Sequence, residues 1–405
     1  MPIRPGVSSR RKESPLSMVV PMLLCFSLGF VLAITSNAKF PNFYLPFLPP
    51  LPSASVSSPS PPPLLFPPSP PPPALQPPPP PPTPSTSLSS VKRNNMTDEE
   101  LFWLASMSPK VRATPYHRVP KVAFLFLARG DLPLRPLWEK FFEGHDGLYS
   151  IYVHADPSYT GSPPDDSVFY DRMIPSQNTS WGDVTLVDAA RRLVANALLD
   201  VGNQRFALVS ESCIPLYNFT TVYALLTGSN TSFVDSFFNH HSDVRYNPFF
   251  GQRQRAGAGG NIARAQWRKG SQWFVMERSL AVELVADDVY LPAFREYCAR
   301  HRFCFAEEHY LPTLLSVLGW TRNANRTLTY VDWRRGGSHP RTHGARDATE
   351  ALIREIRVGG AGGGGHNCTG YGDGASGFCY LFARKFAKDT LEPLLRLAPK
   401  VMGFG

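Results

Sequence analysis

Cysteine is scarce in this 405-residue chain, six in all, and no two of them stand at zinc-ligand spacing. That excludes a zinc module and leaves room for occasional disulfides only. Cys25 falls in an apolar run, leaving Cys213, Cys298, Cys304, Cys368 and Cys379, an odd set in which at least one thiol stays free or pairs between chains. Cys368 with Cys379 is the first pairing to expect. A glycine-rich phosphate loop is missing too: Gly257-Ala258-Gly259-Gly260 lacks the third glycine and follows no strand. There is no Ser-His-Asp order, no metal cage, and no Asp-x-Asp pair after a strand to hold a divalent ion on a diphosphate. No metal ligand is assigned and no cofactor is expected.

Charge is missing from residues 16–35, which are mostly apolar, and about 20 such residues span a bilayer. Arg4, Arg10, Arg11 and Lys12 precede them, so the positive-inside bias keeps 1–15 cytosolic and sends the rest across. A cleaved signal peptide competes with this reading, but Ser36-Asn37-Ala38 is a poor cleavage site. The expectation is a single-pass type II signal anchor whose modest length suits a thin early-secretory membrane. Residues 36–95 are dominated by proline and form no ladder hydrogen bonds. They read as an extended polyproline II stalk. Residues 96–405 are globular in composition and luminal in this topology. Six N-glycosylation sequons, at Asn95, Asn178, Asn218, Asn230, Asn325 and Asn367, all lie on that side of the anchor. The net charge of +9 includes the cytosolic tail, and a luminal domain has no access to nucleic acid. Anionic small substrates remain compatible with it.

The luminal part alternates strands and helices. Val122 to Ala128 is an apolar run long enough for a buried strand, and Tyr149 to Asp156 and Phe206 to Val209 are further strands. Helices are predicted from Leu134 to Phe142 and from Asp183 to Leu199, and Ser232 to Phe237 is a fourth candidate strand. This order implies an α/β fold with a mostly parallel sheet covered by helices. Ligands in such sheets bind beyond the carboxyl ends of the strands, where His154, Asp156, Ser210 and Glu211 fall.

The densest chemistry lies in Phe303-Cys304-Phe305-Ala306-Glu307-Glu308-His309-Tyr310-Leu311-Pro312. Proline is tolerated in a helix's first turn, so Pro312 predicts a helix that begins near Glu308 or His309. Two readings fit the carboxylates: they complement the helix dipole, or one of them is a general base kept reactive by aromatic surroundings. Near the C-terminus, Arg384-Lys385 follows a short apolar strand. This is either a solvated basic pair or a means of neutralising a diphosphate. Trp273 and Trp333 stand beside polar, glycine-rich turns, placed for stacking on sugar rings or for packing on the core.

Six segments in order resemble the core-2/I-branching β-1,6-N-acetylglucosaminyltransferase family (glycosyltransferase family 14), in particular its plant, brittle-culm-like branch. They are Ile151-Tyr152-Val153-His154-Ala155-Asp156, Ser180-Trp181-Gly182, Leu208 to Leu216, Lys269-Gly270-Ser271-Gln272-Trp273-Phe274, Glu307-Glu308-His309-Tyr310 and Phe382-Ala383-Arg384-Lys385-Phe386. The resemblance implies a GT-A-like fold, an inverting transfer from a UDP-sugar to a glycan or glycoprotein, and no metal. It implies a catalytic base at Glu308, where the family's preceding Asp is Glu307 here, and a diphosphate-binding Lys385. Arg384 or Arg357 would stand for an upstream arginine that the glycine-rich loop obscures. His154 and Asp156 would seat the nucleotide, and Trp273, Trp333 and Glu211 are acceptor-binding candidates. A Golgi membrane enzyme of cell-wall glycan synthesis follows. A membrane-anchored glycan-binding protein without catalysis is the alternative.

Overall fold

The computed structural model describes residues 96–110, 118–253, 259–359 and 378–405. The expected anchor, stalk, glycine tract, Cys368 and the sequons at Asn95 and Asn367 lie outside the described residues. Among the described residues no helix is long and apolar enough to cross a membrane.

The helix α1 spans Asp98–Ser106 and opens on a capping box, Thr97 accepting from the Glu100 N–H while the Glu100 carboxylate accepts from Thr97. Then come β1 Lys121–Leu127, α2 Arg135–Phe142, β2 Tyr149–His154, α3 Thr185–Leu198 and β3 Asn203–Ser210. The short β4 Ile214–Pro215 leads to α4 Phe219–Gly228, and β5 Val275–Glu277 leads directly into α5 Arg278–Ala286. The remaining main elements are α6 Leu291–Cys298, α7 Ala306–Val317, β6 Thr329–Val331, α8 Glu350–Arg357, β7 Phe382–Arg384 and α9 Leu391–Leu397.

Two sheets result. The first has the order β2-β1-β3-β5, with β1 parallel to both neighbours and β5 antiparallel at the edge. The second has the order β4-β7-β6, with β6 and β7 parallel. The parallel α/β core thus matches its expectation, while the antiparallel edge and the second sheet extend it. Strand β1 reads as an unbroken apolar run because both its faces are covered. Val122, Phe124 and Phe126 pack toward α2 and α4, and Ala123, Leu125 and Leu127 pack toward α3 and α5. Phe124 meets Trp138, Phe141, Phe142 and Phe382 edge-on at 5.0 to 6.3 Å. Burying such a ring contributes about 2–3 kcal/mol.

The strand expected over 232–237 does not form. Its backbone is shared among three partners in isolated bridges: Ser232 with Asn323, Phe233 with Val275 and Phe237 with Lys269. No single ladder is left to extend. Of the six sequons, Asn178, Asn230 and Asn325 are exposed and Asn218 is half-buried. The Asn218 side chain caps α4 by accepting from the Thr221 N–H at 2.9 Å.

Candidate active site

The parallel register lines up the strand ends. Leu127 of β1 stands beside His154 of β2 and Ser210 of β3, so Arg129, Asp156 and Glu211 lie just past one common row. In the second sheet Val331 stands beside Arg384, so Trp333 and Lys385 lie just past that row. A hydrogen bond from the Phe386 N–H to the Ser212 carbonyl, 2.9 Å, joins the two edges. The cleft predicted at the carboxyl edge therefore draws on both sheets.

One wall of the site is the N-terminus of α7. The helix starts at Ala306, earlier than Pro312 suggested, because Pro312 sits in the second turn rather than the first. Its missing N–H would have bonded the Glu308 carbonyl. That carbonyl instead accepts from the Gly270 N–H at 2.8 Å, so the proline opens a backbone port and the neighbouring loop fills it. Position 270 must be glycine: a Cβ there would lie 2.0 Å from the Asp235 carbonyl oxygen.

Lys269, beside that glycine, places its Nζ 2.7 Å from Glu308 Oε2, and an Arg245 guanidinium N–H reaches the same oxygen at 2.7 Å. Glu308 Oε1 has no hydrogen-bond partner among the described residues. Burial pushes the Glu308 carboxyl up, but Lys269 and Arg245 outweigh it and hold the group below its ordinary range, so it is ionised at neutral pH. Its neighbour is tuned the other way. Burial, opposed by hydrogen bonds from its own N–H and that of Gly182 and reinforced by the Glu308 charge, pushes the Glu307 carboxyl up to about 7. Its Oε2 is buried without a partner, against a pocket lined by Ser271, Gln272, Leu208 and Leu311.

His309 is fully buried, stacked 4.7 Å from Trp267, with Nδ1 2.8 Å from the Arg268 carbonyl. Nδ1 therefore carries the proton and donates. Burial pulls its pKa down to about 4, so the ring is a neutral strut holding the 267–270 loop to α7.

Beyond the strand ends the charge is positive. Burial and the charges of Arg384 and Arg129 pull the Lys385 pKa down, and Glu211 pulls the other way. Arg129 pairs with Glu211 at 3.3 Å. Three cations thus share one carboxylate, an excess of positive charge beyond the strand ends. Arg384 is largely enclosed: its guanidinium lies 4.1 Å from the centre of the Trp273 ring, and its Nε is buried without a partner.

Several expected roles change here. Trp273 is 5% exposed and its ring is covered by Arg384, so it is a floor under the cations rather than a platform for an acceptor. His154 is 1% exposed, its Nε2 accepts from the Gln177 N–H, and burial drops its pKa to about 4. It orders the loop after β2 and offers no face to a nucleotide. Arg357, the other arginine considered, lies 4.0 Å from the Tyr217 ring and donates to the Leu216 carbonyl, tying α8 to the segment after β4. Asp156 is exposed beyond β2, where Ser158 donates to it and lowers its pKa. Glu211 sits among the cations, and Trp333 is 49% exposed.

Three contributors carried no prior assignment. Lys269 stands in one of the six family-like segments, with no role implied for it. Arg129 is signalled only by its place between β1 and Gly130. Arg245 has no local signal at all. Among the cysteines, Cys298 pairs with Cys304 and Cys213 is free and buried. Cys379 is also in a disulfide, but the pairing expected for it involves Cys368, outside the described residues.

Comparison with known proteins gives the family. Residues 122–357 match the family model "Core-2/I-Branching enzyme", a span that includes Glu308 and the Lys269 loop and ends before Lys385. The chain is also similar to the rice (Oryza sativa subsp. japonica) protein "Glycosyltransferase BC10", 36% identical over 316 residues, 69% of this chain and 76% of that one. The match over more than half of the chain and the similarity to that transferase together show that this chain is a glycosyltransferase and belongs to the core-2/I-branching enzyme family.

Proposed function

We propose that this glycosyltransferase moves a sugar from a UDP-sugar to a glycan or glycoprotein hydroxyl with inversion and without a metal. One observation carries the reading. The short segment from Lys269 to Trp273 touches both halves of the site, Lys269 pairing with Glu308 and Trp273 supporting Arg384. Four backbone steps separate their Cα atoms by at most about 14 Å, so one short loop supports both the carboxylate and the cations.

Glu308 Oε1 accepts the proton of the acceptor hydroxyl as that oxygen bonds to the anomeric carbon. The bond from that carbon to the diphosphate oxygen breaks, and UDP leaves with the electron pair. General-base assistance contributes roughly a hundredfold to ten-thousandfold. Lys385, Arg129 and Arg384 meet the charge that develops on the leaving diphosphate, which is the task a metal would otherwise perform. Three cations crowded around one carboxylate repel one another until an anion arrives, and this supports the metal-free reading. A type II anchor at 16–35, a stalk at 36–95, residence in the Golgi membrane and a role in cell-wall glycan synthesis complete the proposal.

The test is a thermal-shift screen of the purified protein against UDP and a panel of UDP-sugars, with EDTA present throughout. A ligand that binds only the folded state stabilises it by about 2.7 kcal/mol at a hundredfold excess over its Kd. The expected result is a shift with one UDP-sugar that disappears in Lys385→Ala. A shift that requires Mn²⁺ overturns the metal-free part. Glycan binding with no nucleotide response in folded protein favours a non-catalytic role.

A further inference from the structure

Beside Glu308 the surface carries aromatic rings that the core does not use. Trp181 is 53% exposed and Phe303 is 47% exposed. The Trp181 ring lies 5.6 Å from Phe303, 5.5 Å from Phe305 and 5.2 Å from His339. Holding the rings there costs backbone strain. Phe303 and Phe305 both adopt the left-handed region, at φ 57° and 49°, which non-glycine residues rarely visit and bulky ones least of all. Three ties enforce it. The Cys298–Cys304 disulfide closes the loop, the Phe305 N–H donates to the Gly182 carbonyl at 3.0 Å, and Gly182 (φ 74°) leaves space that a Cβ would take from Phe303. Strain of about 1–3 kcal/mol per residue here holds one ring half-exposed and the other against Arg245, beside the base.

The patch is continuous with the base. Arg245 lies 4.5 Å from the centre of the Phe305 ring while its guanidinium pairs with Glu308. Phe305 itself immediately precedes α7. An acceptor must bring its hydroxyl to Glu308 from the side away from the leaving diphosphate, and this patch adjoins the base.

We propose that Trp181, buttressed by Phe303 and Phe305, forms the acceptor platform, stacking on the C–H face of a neutral pyranose ring while Arg245 aligns a hydroxyl toward Glu308. This rests on the transferase reading above. Aromatic faces suit a sugar because its axial C–H groups are apolar and its hydroxyls remain free at the rim. The platform takes the place first assigned to Trp273.

Two measurements on the full-length protein test it. First, transfer is compared with donor hydrolysis, which uses water and needs no platform. The expected result for Trp181→Ala is an acceptor KM raised about tenfold or more, with UDP-sugar hydrolysis and UDP affinity within about twofold. Trp181→Tyr, which keeps a ring, is expected to recover most of the loss. An unchanged acceptor KM with hydrolysis intact overturns the proposal. The second measurement needs neither turnover nor a variant. Exposed tryptophans of the unmodified protein are oxidised with N-bromosuccinimide, and Trp181 is followed by peptide mass. The probes are neutral di- and trisaccharides ending in β-galactose, β-xylose or β-N-acetylglucosamine. Protection of Trp181 by one of them, with Trp103 unprotected, supports the platform even if the donor assignment fails. No protection by any at millimolar concentration overturns it, as does a change of oligomeric state in Trp181→Ala, which would make the patch a subunit contact.

Discussion

Replacing Glu308 with Gln removes the base and leaves nearly everything else in place, and the structure indicates how much each part should change. The backbone contact at this position, Gly270 N–H to the Glu308 carbonyl, does not depend on the side chain. The side-chain amide keeps the shape and can still accept from Lys269 or Arg245. The charge is lost. Arg245 is 39% exposed, so that ion pair is screened and its loss costs below about 1 kcal/mol. Lys269 is 22% exposed, and its charge-assisted bond is worth roughly 1–3 kcal/mol. Against this, the variant sheds the desolvation penalty of a carboxylate that burial already disfavours. The net stability loss should be about 1–2 kcal/mol, a few degrees in Tm. Catalysis should fall far more, by roughly 10² to 10⁴, or about 2.7–5.5 kcal/mol of barrier. The assay is sugar transfer at saturating donor beside calorimetric titration with UDP, whose affinity should hold because Lys385 and its neighbours are untouched. Turnover within tenfold of the unmodified protein refutes the assignment. If Glu307→Gln abolishes transfer and Glu308→Gln does not, the base has been assigned to the wrong neighbour.

Glu307 makes stability depend on pH in a direction that can be checked. Its carboxyl, pushed up to about 7 from an ordinary 4.5, holds its proton more tightly folded than unfolded. Its contribution is therefore complete below pH 4.5 and is lost as pH rises through 7, up to about 3 kcal/mol in all. Glu307→Gln should melt like the unmodified protein near pH 4.5 and above it past pH 7; parallel melting curves across that range sink the idea. Gly270→Ala should lower both stability and transfer, since its Cβ meets the Asp235 carbonyl and the loop must leave the Glu308 port. Unchanged activity would show that the port is dispensable. Trp273→Ala should cost about 3–5 kcal/mol of stability and weaken UDP binding through Arg384. A raised acceptor KM with normal stability would instead restore Trp273 as an acceptor contact.

What the sequence made legible, and what it hid, divides by the range of the forces involved. Strands β1, β2 and β3 and helices α2 and α3 could be read from apolar runs and periodicity, because two-sided burial writes a local pattern. Strands β5 and β6 hid because each is three residues long and earns its place by pairing with residues far along the chain. The segment 232–237 misled for the converse reason: it has the composition of a strand, but its partners are divided between two loops and the start of β5. Glu308 and Lys385 were visible through their motifs, whereas Arg245 reaches Glu308 from 63 residues away and announces nothing locally. The tryptophans show the limit most clearly. Trp273 and Trp333 looked alike in sequence, each beside a glycine-rich turn, yet one is 5% and the other 49% exposed. What separates them is Arg384, a residue more than a hundred positions from Trp273 that closes over its ring. The same arginine that binding chemistry would assign to the diphosphate thus removes Trp273 from the acceptor. The role of Trp273 is set by the distant cation that covers it, whereas Trp181 has no cation on its ring among the described residues and faces water beside Glu308.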